Sequence, residues 1–133
     1  MNNPGHTVYI VDDDVSVGRA LSLLLKSHGF KVETFMRAAD FLAFKHLKLP
    51  SCLVLDIQLP DINGLALQDA MAERKFIIPI IFITGHGDIP MSVRAMKAGA
   101  IDFLPKPFTE KNCLMPLRKP SQKVKLKIKN KPR

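Results

Sequence analysis

The sequence predicts a doubly wound α/β domain built on five parallel strands, and three observations carry that prediction. Short apolar runs recur along the chain, patterns with a period of about 3.6 stand between them, and most runs stop on a charged or hydroxyl side chain. TVYIV at 7–11 stops at three aspartates and reads as a buried strand. From Asp14 a helical period places Val17, Ala20, Leu21, Leu24 and Leu25 on one face, with Gly29 as terminator after His28. KVETF at 31–35 reads as the second strand, and Ala38 to about Lys45, carrying Phe41, Leu42 and Phe44, as the second helix. CLVLD at 52–56 is the third strand and ends on Asp56. A loop holding Pro60 and Gly64 leads into a helix from about Leu65 to Arg74 with Leu67, Ala70 and Met71. PIIFIT at 79–84 is almost wholly apolar, as a central parallel strand covered on both faces should be. After GHGD, Pro90 suits the first turn of a helix and Gly99 its end, with Val93, Met96 and Lys97 between. Ala100 to Leu104 reads as the fifth strand. Parallel strands joined by short crossovers wind right-handedly, and their ligands sit at the C-terminal strand ends.

Composition sets the outer bounds. With 133 residues, 47% hydrophobic and 24% charged, the chain suits one soluble globular domain whose core needs neither a disulfide nor a structural metal. The longest uncharged stretch, Phe76 to Gly87, contains Pro79 and is 12 residues long, against roughly 18 for a membrane span, so no membrane partner is expected. The first basic side chain is Arg19, so MNNPGHT has no charged lead-in to an apolar stretch, and a cytoplasmic chain is expected. Cys52 and Cys113 fit reduced thiols. The net charge of +8 would point to nucleic acid if it were spread over the fold. It is not spread: residues 1–108 hold 11 Lys+Arg against 11 Asp+Glu, while 109–133 hold 9 basic residues and the one acid Glu110. The expected division is a folded body at 1–110 and a basic tail at 111–133, with a composition that favours disorder over a DNA-binding helix-turn-helix.

The strand ends carry the chemistry. Asp12 and Asp13 follow the first strand, Asp56 ends the third, Thr84 ends the fourth and Lys106 follows the fifth, so all converge on one edge. Clustered carboxylates need a cation, and a hard, oxygen-seeking ion such as Mg²⁺ suits a few carboxylates plus water. Cation, ammonium and hydroxyl together are what the equatorial oxygens of a phosphoryl group require. Blander roles remain open for each: Asp12, Asp13 and Asp14 suit a helix cap, Thr84 a strand end, and Phe103 a core. The four histidines lack metal-ligand spacing, and Met71, Met91 and Met96 suit helix packing.

YIVDDD, VLDIQLPDING, IIFITGHGD and DFLPKPF stand in the order and near the spacings of one family. Over residues 6 to 110 the chain resembles the receiver domains of two-component response regulators, and ITGHGDIPMSVRAMKAGAIDFLPKPF looks most like the FixJ subgroup. The resemblance implies a flavodoxin-like sheet of order 2-1-3-4-5. It implies that Asp56 is the phosphoacceptor, taking a phosphoryl group from the phosphohistidine of a sensor histidine kinase or phosphotransfer protein, so that the chain is not an enzyme with an external substrate. By the same resemblance Mg²⁺ is held by Asp13, by Asp56, by Asp12 largely through water, and by the backbone carbonyl of Gln58. Lys106 and Thr84 bind the phosphoryl oxygens, Lys106–Pro107 is a cis peptide, and Thr84 with Phe103 forms the switch pair. DNA contact would run through a missing or separate output domain. A second reading, a haloacid-dehalogenase-like phosphatase using Asp12 and Asp14, leaves Asp56 without a role and finds only Glu110 downstream of Lys106 as a further acid.

One departure from the family stands out. Pro116 and Pro120 break TEKNCLMPLRKP, so the last helix is expected to be shortened. Apolar sheet surface left uncovered forfeits roughly 2.5 kcal/mol per 100 Å², so the expectation is a marginally stable domain forming at most a weak homodimer.

Overall fold

The computed structural model describes residues 6–44, 51–76, 78–84 and 89–105. The elements run β1 (Thr7–Val11), α1 (Val15–Ser27), β2 (Lys31–Phe35), α2 (Ala38–Ala43), β3 (Ser51–Asp56), α3 (Gly64–Glu73), β4 (Ile80–Thr84), α4 (Ile89–Lys97) and β5 (Asp102–Pro105). All five strands are parallel, in the order β2-β1-β3-β4-β5. This is the expected flavodoxin-like sheet.

Strand alternation divides the apolar side chains between two layers. Val8, Ile10, Cys52, Val54, Ile81, Ile83 and Leu104 face α1 through Leu21 and Leu25. Tyr9, Val11, Leu53, Leu55 and Phe82 face the other layer, where they meet Phe41, Leu67, Met71 and Ala95 from α2, α3 and α4. That is why β1, β3 and β4 are buried throughout while the edge strand β2 alternates only partly. The expected shortening at Pro116, the basic tail and the Lys106–Pro107 peptide lie outside the described residues.

Several boundaries differ from the sequence reading for local reasons. α2 stops at Ala43 because Phe44 turns extended, placing its ring 5.9 Å from Tyr9 and 5.4 Å from Phe35. β5 begins at Asp102, two residues late, because Ala100 is still engaged in closing α4, its N–H donating to Ala95 O at 3.1 Å. β4 begins at Ile80, since Pro79 has no N–H and contributes only its carbonyl, which accepts from Leu53 N at 2.8 Å. Ala20 is exposed, so α1 packs through Leu21 and Leu25 with Val17 and Leu24 beside them. Met96 and Val93 are 40% and 46% exposed, so α4 packs through Ala95 and Met91 instead.

Three helices end in one way. The N–H of Phe30, Phe76 and Ala100 donates to the carbonyl of Leu25, Met71 and Ala95 respectively, at 3.1, 2.9 and 3.1 Å. This closure needs a left-handed residue just before the donor, which Gly29 and Gly99 supply at φ 93 and 115. In α3 the position is Lys75 at φ 57, where a side chain costs roughly 1–2 kcal/mol. Lys75→Gly should therefore stabilise the domain by about 0.5–1 kcal/mol once the added freedom of the unfolded chain is subtracted. Thermal unfolding should show a rise of about 3 °C. An unchanged or lower midpoint would contradict the strain.

Candidate functional site

Register brings the acids together. Val11 is opposite Leu55 and Asp56 opposite Ile83, so Asp12, Asp56 and Thr84 emerge side by side at the C-terminal edge of neighbouring strands. Asp12 is 3% exposed, Asp56 6% and Thr84 3%, whereas Asp13 is open to solvent. Two acids this buried are not ordinary surface carboxylates. One oxygen from each of Asp12, Asp13 and Asp56 lies within 4.8 Å of the others.

Each carboxylate is aimed by its own backbone. The Asp12 N–H donates to Phe35 O at 3.0 Å, tying the end of β1 to the end of β2, and Asp12 Oδ1 accepts from Asp14 N at 2.9 Å. Asp14 turns away: its Oδ1 accepts from Ser16 N at 2.9 Å and Val17 N at 3.3 Å, capping α1. The capping role weighed from sequence thus belongs to Asp14, and the clustered acids are Asp12, Asp13 and Asp56 rather than the Asp12/Asp14 pair of a phosphatase reading. Asp56 Oδ1 accepts from Gln58 N at 3.1 Å, which orients the carboxylate plane. The following turn is closed by Ile57 N donating to Ile83 O at 3.1 Å, by an antiparallel bridge between Gln58 and Asn63, and by Gly64 N donating to Ile57 O at 2.6 Å. Asn63 then caps α3, its Oδ1 accepting from Leu65 N at 2.7 Å. The Gln58 side chain is exposed, which leaves its backbone as the part of that residue beside the cluster.

Thr84 and Phe103 share a face. Phe82 pairs with Phe103 and Thr84 with Pro105, so alternation puts Phe103 diagonal to Thr84 and packed on the layer of Phe82. Lys106 and Pro107 lie outside the described residues.

Two residues escaped the sequence reading as parts of this site. Gly64 was visible only as a loop residue, yet a Cβ there would stand 2.7 Å from Asp56 O and 2.9 Å from Ile57 Cα. Asp61 stands in the same loop, and nothing in the sequence singled it out. Its carboxylate spans the first turn of α2, accepting from Ala38 N at 3.2 Å and Ala39 N at 3.0 Å. The Ala39 N–H, with smaller help from Ala38, holds that carboxyl below its ordinary range against a modest desolvation. The signal was available at Arg37, the α2 N-cap, which makes no side-chain capping bond and so leaves those amides to another segment.

The donor set fits a hard dication. All three groups are carboxylates, and their spacing of up to 4.8 Å is near the span of about 4 Å between opposite ligands of a Mg²⁺ ion. The exposure of Asp13 leaves room for the waters such an ion retains. Close like charges repel, and a cation between them turns that repulsion into attraction. Beside the cluster runs a groove of about 520 Å³ lined by Asp12, Asp14, Arg19, Leu23, Lys26 and Met36 among others. Leu23 is 67% exposed and Met36 51%. Among the described residues no helix is long and apolar enough to cross a membrane.

Comparison with known proteins identifies the family and the fold. Residues 8–118 match the family model of the response regulator receiver domain. The response regulator protein TmoT of Ectopseudomonas mendocina is 49% identical over 118 residues, which is 89% of this chain and 54% of that protein. Among solved structures, the response regulator StyR superposes with a TM-score of 0.79 at 50% identity, covering 92% of this chain and 60% of StyR. The crystal structure of FixJ-N superposes at 0.81 with 41% identity, covering 92% and 96% of the two chains. The chain spans about half the length of the curated relatives it matches. None of these similarities supports the phosphatase reading.

Proposed function

The chain belongs to the response regulator receiver domain family, and from that premise we propose that Asp56 is its phosphoacceptor, charged by the phosphohistidine of a sensor kinase or phosphotransfer protein. A receiver domain of a two-component system is not an enzyme in the usual sense. The observation that carries the proposal is a buried carboxylate at a strand end, oriented by its own loop and grouped with two more acids.

In the transfer, an Asp56 oxygen attacks phosphorus and the P–N bond to the histidine breaks. An acyl phosphate forms, and the imidazole leaves with the electron pair and takes a proton. Asp12, Asp13, Asp56 and the Gln58 carbonyl would hold Mg²⁺. When bound, that ion supplies positive charge to the phosphoryl oxygens. The Gln58 N–H keeps the Asp56 carboxylate pointed at the cluster throughout. Thr84 supplies a hydroxyl and Lys106 an ammonium to the product oxygens. Drawing the hydroxyl toward the phosphoryl group vacates space beside β5 for the Phe103 ring, so a local charge event alters the surface carried by α4 and β5. Val93 and Met96 are the exposed apolar side chains that α4 offers there. The groove beside Asp12 and Asp14, with exposed Leu23 and Met36, is where a phosphodonor protein would rest while presenting its histidine to Asp56. A DNA-binding output would belong to a separate domain, and a weak homodimer through the switched surface is the remaining partner.

The test uses acetyl phosphate, which needs no partner protein. With Mg²⁺ present the protein should gain one acid-stable, base-labile phosphoryl group that peptide mapping places on Asp56. Labelling on Asp12, or none in the presence of Mg²⁺, would sink the proposal.

A further inference from the structure

Hydrogen bonds link Asp12 and Asp56 by a second route, which leaves the sheet at the end of β2 and returns through α2 and the loop after β3. The Asp12 N–H donates to Phe35 O at 3.0 Å. Three residues on, α2 begins, and the Ala38 and Ala39 amides donate to the two oxygens of Asp61 at 3.2 and 3.0 Å. Three residues back along the loop, the Gln58 N–H donates to Asp56 Oδ1 at 3.1 Å. Asp61 is therefore the clasp of a belt that starts at one acid of the cluster and ends at another.

The belt has few loose segments. Between Asp61 and Gln58 stand Leu59, packed on the core, and Pro60, whose φ is fixed by its ring. Beyond Asp61, Ile62 also packs on the core. The root of the loop is already closed by the Gln58–Asn63 bridge and the 2.6 Å bond from Gly64 to Ile57. What the root leaves open is rotation of the loop about that hinge, toward or away from α2. Leu59 and Ile62 restrain it through packing, and Asp61 adds a directional restraint at the tip with a two-oxygen grip on adjacent amides, the charge-assisted geometry that makes carboxylate–amide bonds strong.

Resting on the reading of Asp12, Asp13, Asp56 and the Gln58 carbonyl as a metal site, we propose that Asp61 is a positioning residue for that site. By clamping the loop tip to the start of α2 it holds the Gln58 carbonyl at the height of the carboxylates, so that Mg²⁺ meets a preformed set of oxygens. Groups that orient ligands without touching the ion govern affinity strongly, by about tenfold or more. The grip also accounts for α2, whose own N-cap Arg37 provides no capping side chain.

The experiment is a Mg²⁺ titration of the full chain followed by amide shifts, with no phosphodonor present. Asp61→Ala should weaken Mg²⁺ binding by about tenfold, and Asp61→Asn, which keeps one acceptor oxygen, should recover most of it. Hydrogen exchange at Ala38 and Ala39 should accelerate in the same order. Ala43→Gly, at the exposed far end of α2, weakens the helix without touching the clasp and should leave Mg²⁺ affinity unchanged. Wild-type affinity in Asp61→Ala would overturn the proposal. So would an Ala43→Gly loss as large as that of Asp61→Ala, because helix stability alone would then account for the effect. If the wild-type chain bound no Mg²⁺, or Asp13→Asn bound it equally well, the metal-site reading itself would fall, and the positioning role with it.

Discussion

Asp56→Asn should take up no phosphoryl group from acetyl phosphate at any Mg²⁺ concentration, while folding as well as the parent. An amide oxygen is a poor nucleophile, and on the proposed reading Asp12 and Asp13 serve the metal rather than accept the group. The fold should tolerate the change because the Asn oxygen can accept from Gln58 N as Oδ1 does at 3.1 Å. Removing one of three charges that lie within 4.8 Å also relieves repulsion, so in Mg²⁺-free buffer the unfolding midpoint should be equal or higher. Asp13→Asn separates the metal from the acceptor. It keeps Asp56 but removes the exposed charge, so labelling should fall sharply and return in part when Mg²⁺ is raised. Full labelling of Asp56→Asn would show that another residue accepts the group.

How much of this could be read from the chain depends on whether a feature is local. β1, β3 and β4 were legible because a parallel strand buried on both faces must be a continuous apolar run, and an aspartate or threonine ending such a run has no packing reason to be there. The meeting of Asp12, Asp13 and Asp56 followed once the strands were parallel and adjacent. The end of α2 was not legible, since Phe44 leaves the helix to join Phe35 and Tyr9, the latter distant in sequence. Helical periodicity placed Ala20 and Met96 among apolar neighbours, yet the sheet covers only part of each helix face and both stay exposed. Asp61 is the clearest case. LPDING reads as a turn, and only the absence of a capping side chain at Arg37 hints that the acid serves another helix. The left-handed Lys75 gives no sign at all, because lysine is an ordinary residue for a helix end.

The same substitution at two glycines should have opposite signs. Gly64 starts α3 against the chain leaving β3, and a Cβ there would meet Asp56 O at 2.7 Å, Ile57 Cα at 2.9 Å and Ile57 O at 3.2 Å. All three are backbone atoms, so no side-chain rotation relieves the clash; the helix start must move. Moving it strains packing by roughly 1–3 kcal/mol and lengthens the 2.6 Å bond from Gly64 N to Ile57 O, worth about 1 kcal/mol more. A total near 3 kcal/mol is a large share of the 5–15 kcal/mol typical of a domain. Gly64→Ala should also slow phosphorylation, because the helix start would press on the Asp56 and Ile57 carbonyls beside the proposed acceptor. Gly18, the fourth residue of α1, has nothing within 4 Å of its would-be Cβ, so Gly18→Ala should stabilise by up to about 1 kcal/mol through helix propensity alone. Urea titration at low temperature reads both from the midpoint, with the slope confirming that the unfolding is the same transition. A Gly64→Ala protein with the parent's midpoint and labelling rate would mean that the close approach between α3 and β3 does not constrain the acceptor.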